Sequence, residues 1–301
     1  MVFVAPAVTG DGKPLAVSPL AVITSRAYEP GDLRLILDLV AELWPNGRHG
    51  IGYAFMAQRL PRDDWDARLW FGGDVLLGWA WSTGWRIPRG LSYEFRPGSE
   101  ALLDEMIDWA EPRVTTVRSG NDPAAEILAR HGFVHDPAAP WIRWNSRRLD
   151  MVEAPRLPDG YRLSTMAEYD DFDSRSAAHR SAFAPSRFTD EVYETVRHEA
   201  PWRAELDCVV VDPDGAVAAY ALGWLDERNS VGELEPVGVR EDQQRRGLGR
   251  AVCLHALRRL RAHGAETAVV GSRGDDQYAG PRMLYESIGF RELWRDLVYS
   301  R

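Results

Sequence analysis

Cysteine is scarce: the 301 residues hold two, Cys208 and Cys253, each alone in its neighbourhood. That excludes a disulfide framework and a cysteine-based metal site, and it fits a reducing cytoplasm. Long apolar runs are missing, and none approaches the ~20 residues of a membrane span. The N-terminus MVFVAPAVTGDGKPLAV lacks the basic-then-apolar layout of a signal peptide, so a cytoplasmic protein with no membrane partner is expected. The seven histidines show no metal-ligand spacing. No HExxH and no GxSxG elbow occurs, so no metal is expected and no serine-hydrolase centre. Positive charge is outweighed, 36 Lys and Arg against 45 Asp and Glu, for a net charge of −9. A broad basic face for nucleic acid is therefore not expected. What is present is ordinary for a soluble globular chain: 45% apolar and 27% charged residues, with length for two domains and their cores.

The sequence repeats itself once. AAEILARHGF ends at Gly132-Phe133, and GPRMLYESIGF ends at Gly289-Phe290. Each has a helical apolar pattern, a glycine at the helix stop, and an aromatic that starts a strand. Upstream, VLLGWAW parallels AVAAYALGW and LSYEF parallels GELEPVGV. Farther up, ITSRAYEPGDLRLILDLVAEL parallels YRLSTMAEYDDFDSRSAAH. Four matches in one order indicate duplication. Asp150 to Gly160, with two prolines and no periodicity, reads as a linker, which places domains at 1–150 and 151–301. Nine of the 12 tryptophans precede residue 150, as core filler or as pocket lining.

In the second half, strands are expected at Tyr161–Met166, Asp207–Val211, Ala216–Trp224, Glu233–Val239, Thr267–Gly271 and Glu292–Val298. Helices are expected between about 167 and 200, broken near Ala184-Pro185, then from Gly249 to about His263 and over Arg282–Ser287. Antiparallel hairpins thus lead into a strand–helix–strand crossover, a mixed α/β (α+β) order.

Between strand 233–239 and the next helix lies Gln244-Arg245-Arg246-Gly247-Leu248-Gly249, followed by Arg250. The glycines allow a tight turn that brings backbone N–H groups toward a ligand. The first turn of a helix leaves four N–H donors unpaired at the positive end of its dipole, so a diphosphate fits there. No Gly-Lys-Ser/Thr follows, and position 252 is Val rather than a third Gly, so neither a P-loop nor a dinucleotide fingerprint is present. Arg245, Arg246 and Arg250 add local positive charge. Arg258, Arg259 and Arg261 extend the patch or form a solvated helix face.

EPVGVREDQQRRGLGRAV resembles the acyl-CoA-binding motif of the GNAT N-acetyltransferases, and MLYESIGF is similar to that superfamily's second conserved region. The resemblance covers about residues 160–298, and the first half resembles a degenerate second copy. It implies two tandem GNAT-like domains, each a mixed, mainly antiparallel sheet flanked by helices. It implies acetyl-CoA as co-substrate and a small-molecule primary amine as acceptor. The backbone from Gln244 and Arg245 through Arg246, Gly247, Leu248 and Gly249 to Arg250 would hold the diphosphate. Val237, Gly238 and Val239 would offer edge groups to the pantetheine arm.

A protonated amine cannot attack a thioester until a base takes its proton, and the departing thiolate needs an acid. Alternation puts Glu233 and Glu235 on one strand face and Leu234 on the other. The resemblance favours Glu235, nearer the thioester, as base or as an anchor for the cationic acceptor. It points Tyr285 at the CoA sulfur as acid. The family often carries an asparagine seven residues before that tyrosine, where this chain has Tyr278; Gln277 is the substitute for that contact. Asp275, Asp276, Asp226 and Glu227 read as solvated loop carboxylates or as groups that attract the amine.

In the first half, Arg96-Pro97-Gly98-Ser99-Glu100 replaces the glycine motif, and Leu128 or Ala129 stands where the tyrosine would be. That half is expected not to catalyse. Two other functions stay open at this level: a non-catalytic acyl-CoA sensor, and an acetyltransferase acting on a protein amine. A monomer or homodimer is expected.

Overall fold

The computed structural model describes residues 22–45, 65–83, 89–186, 188–198 and 201–301. Contacts divide the chain into two compact units. The first takes Met1–Leu43, Asp63–Asp136 and Val298–Arg301, the second Trp44–Arg62 and Pro137–Leu297.

The first unit begins with β1 (Ile23–Ala27) and α1 (Leu33–Leu43). Asp32, held by Arg26 at 2.6 and 2.7 Å, accepts the Glu29 N–H and fixes the entry to α1. β2 (Trp65–Gly72) and β3 (Val75–Thr83) form a hairpin, and β4 (Gly90–Phe95) pairs antiparallel with β3. α2 (Leu102–Ala110) buries Leu102, Leu103, Met106, Ile107 and Ala110, the face set by its 3.6-residue period. β5 (Val114–Arg118) runs parallel to β4, α3 (Asp122–Arg130) is capped by the Asn121 side chain, and β6 (Val134–His135) follows. Trp70, Trp79 and Trp81 are buried here as packing.

The second unit holds β7 (Ile142–Arg148), β8 (Arg162–Thr165), α4 (Phe172–Ala182), α5 (Asp190–Arg197), β9 (Asp207–Val211), β10 (Val217–Asp226) and β11 (Val231–Val239). It continues with α6 (Leu248–Ala262), β12 (Thr267–Arg273), α7 (Gly280–Ser287) and most of β13 (Arg291–Ser300). Its strand order is β13-β7-β12-β11-β10-β9-β8. β8 to β11 pair antiparallel, and β11 and β12 are parallel, joined across α6. The helices fall between 167 and 200 and break around Ala184-Pro185 as the sequence indicates. Among the described residues, no helix is long and apolar enough to cross a membrane.

The division differs from the 1–150 and 151–301 boundaries drawn from the linker. β7 is hydrogen-bonded to β12 from Thr267↔Arg148 to Arg273↔Ile142 and to β13 on its other side, so it belongs to the second unit. A strand's partners lie far along the chain, while a proline-rich stretch is a local signal. That stretch is irregular but pinned: Arg147 donates to the Met151 carbonyl at 2.7 Å and Arg258 to the Val152 carbonyl at 3.0 Å.

The second sheet has two distinct faces. Ala219, Ala221, Leu234, Val252, Cys253, Ala256, Leu257 and Tyr285 form the core under α6 and α7. Val209, Val211, Val217, Tyr220 and Ala178 form a separate cluster on the α4 side. β9, buried at every position, is sandwiched between them.

Candidate active site

The site begins where two parallel strands part. β11 pairs with β12 only from Val231↔Thr267 to Glu233↔Val269. Beyond that register β12 stays with β7, and β11 stays with β10. A slot opens between them. β11 also carries a bulge there: Gly223↔Leu234 is followed by Ala221↔Val237, so three steps oppose two. The extra residue falls at Glu235-Pro236, and Pro236 has no N–H to continue a ladder. Val237, Gly238 and Val239 form the strand edge past the bulge.

At the end of that strand the chain makes a 3₁₀ turn (Glu241–Gln243) and enters α6 through Gln244 to Gly247. Arg245 and Gly247 both adopt positive φ, +64° and +78°. None of the six backbone N–H groups from Arg245 to Arg250 has a hydrogen-bond partner among the described residues. Pairing resumes at Ala251, which donates to the Gly247 carbonyl at 3.1 Å. Six unpaired donors at the N-terminus of a 15-residue helix make a candidate anion cradle. Leu248 is buried and anchors the turn. A Cβ on Gly249 would lie 3.2 Å from Val239 Cγ2 and 3.5 Å from Leu284, so helix and strand meet closely here.

The arginines are not equivalent. Arg245 is exposed with no ion pair among the described residues, and Arg246 reaches the Tyr161 hydroxyl at 3.3 Å. Arg250 is paired with Glu153 at 2.5 Å and adds less free charge than its position suggests. Arg258 and Arg259 donate to the carbonyls of Val152 and Glu205.

Glu235 lies on the α4 face, beside Glu233 and opposite Leu234, which packs under α6. It is half-buried and makes no ion pair among the described residues. Burial pushes its carboxyl up to about 7. Its carbonyl accepts the Trp224 indole N–H. Tyr285 comes from α7 on the opposite side of the slot. It is buried edge-to-face on Phe290 with centroids 5.9 Å apart, and no hydrogen bond engages its hydroxyl among the described residues. Burial, then nearby Cys253 and Glu235, hold it well above the ordinary phenol range. Glu235 and Tyr285 thus come from the two sides of the slot, and the Glu235 charge acts on Tyr285.

The raised Glu235 pKa has a stability consequence. The folded state binds this proton up to pH ~7 and the unfolded state only to about 4.5, so the contribution is full below pH 4.5 and lost as pH rises through 7. For a half-buried group the loss is about 1–3 kcal/mol. Glu235→Gln is expected to melt several degrees above the parent at pH 9 and about level with it at pH 4, read by calorimetric Tm.

Gln277 is exposed on the turn Asp276–Tyr278, and its backbone N–H is held by Asp275 at 3.1 Å. Asp275 is paired with Arg273 at 2.8 Å, Asp276 with Arg282 at 2.7 Å and Glu227 with Arg203 at 2.6 Å; Asp226 holds Asn229. No group of three His, Cys, Asp or Glu among the described residues is placed to hold a metal.

Sequence reasoning missed a buried polar cluster on the α4 side. Arg175 pairs with Asp207 at 2.9 Å, both fully buried, and Tyr193 donates to Asp207 at 2.6 Å. The Arg175 guanidinium stacks 3.5 Å above the Tyr220 ring, and the Tyr220 hydroxyl bonds His179 Nδ1 at 2.8 Å. The ring edge covers Gly238, where a Cβ would sit 2.6 Å from Tyr220 Cε1. A lone charge ahead of the valine run, Asp207, was the one local signal.

The equivalent turn of the first unit is closed. Gly98 N–H is capped by the Glu100 carboxylate at 2.9 Å, and Ser99, Leu102, Leu103 and Asp104 all donate to backbone carbonyls within the turn. Leu128 is fully buried in the core.

Residues 174–290 match the model of the Acetyltransferase (GNAT) family. A protein named mycothiol acetyltransferase from Saccharomonospora viridis is 28% identical over 212 residues, 67% of this chain and 68% of that protein. Another from Thermobispora bispora is 27% identical over 247 residues, 77% of this chain and 82% of that protein. Among solved structures, a tandem GNAT protein from the clavulanic acid biosynthesis pathway aligns with a TM-score of 0.64 at 17% identity, covering 93% of this chain and 98% of that one. A GCN5-related N-acetyltransferase from Sphaerobacter thermophilus aligns with the same TM-score at 19% identity, covering 93% and 95%. These structural likenesses establish the fold, two tandem GNAT-like domains.

Proposed function

We propose that this chain, an acyltransferase whose residues 174–290 match the GNAT family, transfers an acetyl group from acetyl-CoA to the primary amine of a small molecule by direct attack. The row of six unpaired N–H groups at Arg245–Arg250, beside a slot entered by Glu235 and Tyr285, carries the reading. The cradle takes the diphosphate, and Val237–Val239 guide the pantetheine arm toward the slot. Gln277 contacts the cofactor from the turn before α7.

Acetyl-CoA supplies the activated acyl carbon. Glu235 removes a proton from the acceptor ammonium, and the freed amine forms the C–N bond as the C–S bond breaks. Tyr285 gives its proton to the departing sulfur and recovers one from the protonated amide nitrogen, and the proton held by Glu235 passes to solvent, so charge and atoms balance. An acyl-cysteine is not used: both thiols are buried, and burial pushes Cys253 up to about 12. The relatives' name, mycothiol acetyltransferase, supports a small-molecule acceptor. The closed turn of the first unit supports a non-catalytic role for it.

Turnover of acetyl-CoA with a panel of small amines, the desacetyl form of mycothiol among them, tests the proposal through release of the CoA thiol. Tyr285→Phe is expected to lower kcat by about 10- to 100-fold with acetyl-CoA affinity unchanged. Unchanged kcat would remove Tyr285 from the mechanism, and no turnover on any amine would overturn the reading.

A further inference from the structure

The buried cluster behind the slot has no role in the mechanism as derived. Its contacts nevertheless form one continuous path. Asp207 of β9 holds Arg175 of α4, and Arg175 stacks on Tyr220 of β10. His179, one turn on in α4, latches the Tyr220 hydroxyl. Phe188 and Phe183 flank the imidazole, with centroids 4.1 and 4.9 Å away. Tyr220 pairs with Gly238 in register, and its ring edge leaves no space for a Cβ there. Gly238 stands three residues beyond Glu235, just past the bulge. Tyr220 and Glu235 also share the α4 face on adjacent strands, Tyr220 one residue outside the irregular register step and Glu235 within it.

We infer that Tyr220 is a positioning residue for Glu235: its ring, stacked under Arg175 and latched by His179, pins the bulged strand β11 at Gly238 and keeps water from the Glu235 carboxyl. The inference rests on the proposal that Glu235 is the base. Physically, a bulge is a soft point in a ladder, with one residue unpaired, and it holds a fixed shape only where side chains pack on it. A buried arginine with its charge matched by Asp207 and its face matched by an aromatic ring is a stiff support. The shielding accounts for the one perturbation Glu235 shows, which comes from burial alone.

The Glu235 charge acts on Tyr220 of β10 and on Tyr285 of α7, and Glu233 shares its strand. Behind Tyr220 stand Arg175 and His179 of α4, with Asp207 of β9 and Tyr193 of α5. His179 is held far below the imidazole range, at about 3, by burial and by Arg175, so it stays neutral through the working range. Arg175, beside the Asp207 carboxylate, is held above its ordinary range and stays charged. The acidic limb of kcat/KM that vanishes in Glu235→Gln therefore reports Glu235.

The test is the position of that limb in Tyr220 variants. Tyr220→Phe keeps the ring and is expected to keep the limb within about 0.3 units of the parent. Tyr220→Leu opens the carboxyl to water and is expected to lower the limb by about 1–2 units, with plateau kcat down about tenfold and KM for acetyl-CoA within about twofold. Gly238→Ala displaces the same ring from the other side and is expected to shift the limb in the same direction, which keeps the test available if Tyr220→Leu does not fold. A limb that stays in place in Tyr220→Leu and Gly238→Ala, whatever happens to Tm, would overturn the inference and leave Glu235 as base. A limb that persists in Glu235→Gln would overturn the assignment of Glu235 itself, and the inference with it.

Discussion

Acetyl-CoA titrated into the purified protein is expected to bind at one site per chain, and a Gly247→Val, Gly249→Val double variant is expected to bind at least about 100-fold more weakly. The two glycines fail for different reasons. Gly247 has open space around it, so a side chain meets no neighbour, but its φ of +78° is strained for any L residue and worst for a β-branched one. The chain escapes that strain by turning the peptide, and the row of N–H groups then no longer converges. Gly249 has an ordinary backbone, but a Cβ there already sits 3.2 Å from Val239 Cγ2. A valine forces α6 away from β11, and the cradle loses its distance from the slot. Neither change enters the main core, so circular dichroism should show the fold intact. Calorimetry reads the result. Parent-like affinity in the variant would undercut the cradle, and two sites per chain would show that the first unit also binds.

The cradle was legible because its signals are local. Glycine spacing, a strand before and an amphipathic helix after all lie within 30 residues, and the structure adds only the positive φ of Arg245 and the unpaired donors. Strand alternation likewise placed Glu233 and Glu235 on one face and Leu234 on the other. The bulge at Glu235-Pro236 was not legible, since it exists only relative to the pairing partner β10. The same limit hid the membership of β7, whose partners begin about 120 residues later. It also hid Arg175, which reads as one polar residue in a weakly amphipathic helix and becomes a buried cation only when Asp207 and Tyr220 meet it. Arg250 shows the opposite error: its charge was read without Glu153, which lies 97 residues upstream.

Replacing Glu235 by Gln should give the largest kinetic effect, a fall in kcat/KM of about 10²- to 10⁴-fold at pH 8. A base works only when ionised, and burial sets that ionisation near pH 7. The parent's kcat/KM should therefore fall about tenfold per pH unit below about 7 and level off above it, with any further rise belonging to the acceptor's own ammonium. Glutamine preserves shape and removes the proton acceptor, so the fall near 7 should vanish along with the rate. An anchor for the cationic acceptor would behave otherwise. Loss of its charge would raise KM for the amine, kcat at saturation would be largely retained, and affinity for a neutral isostere of the acceptor would not change. Acetyl-CoA affinity is expected to hold in either case, because the cradle draws on the backbone of Arg245–Arg250 and not on this carboxylate. The split between kcat and KM, taken with the pH profile, decides which of the two roles Glu235 has.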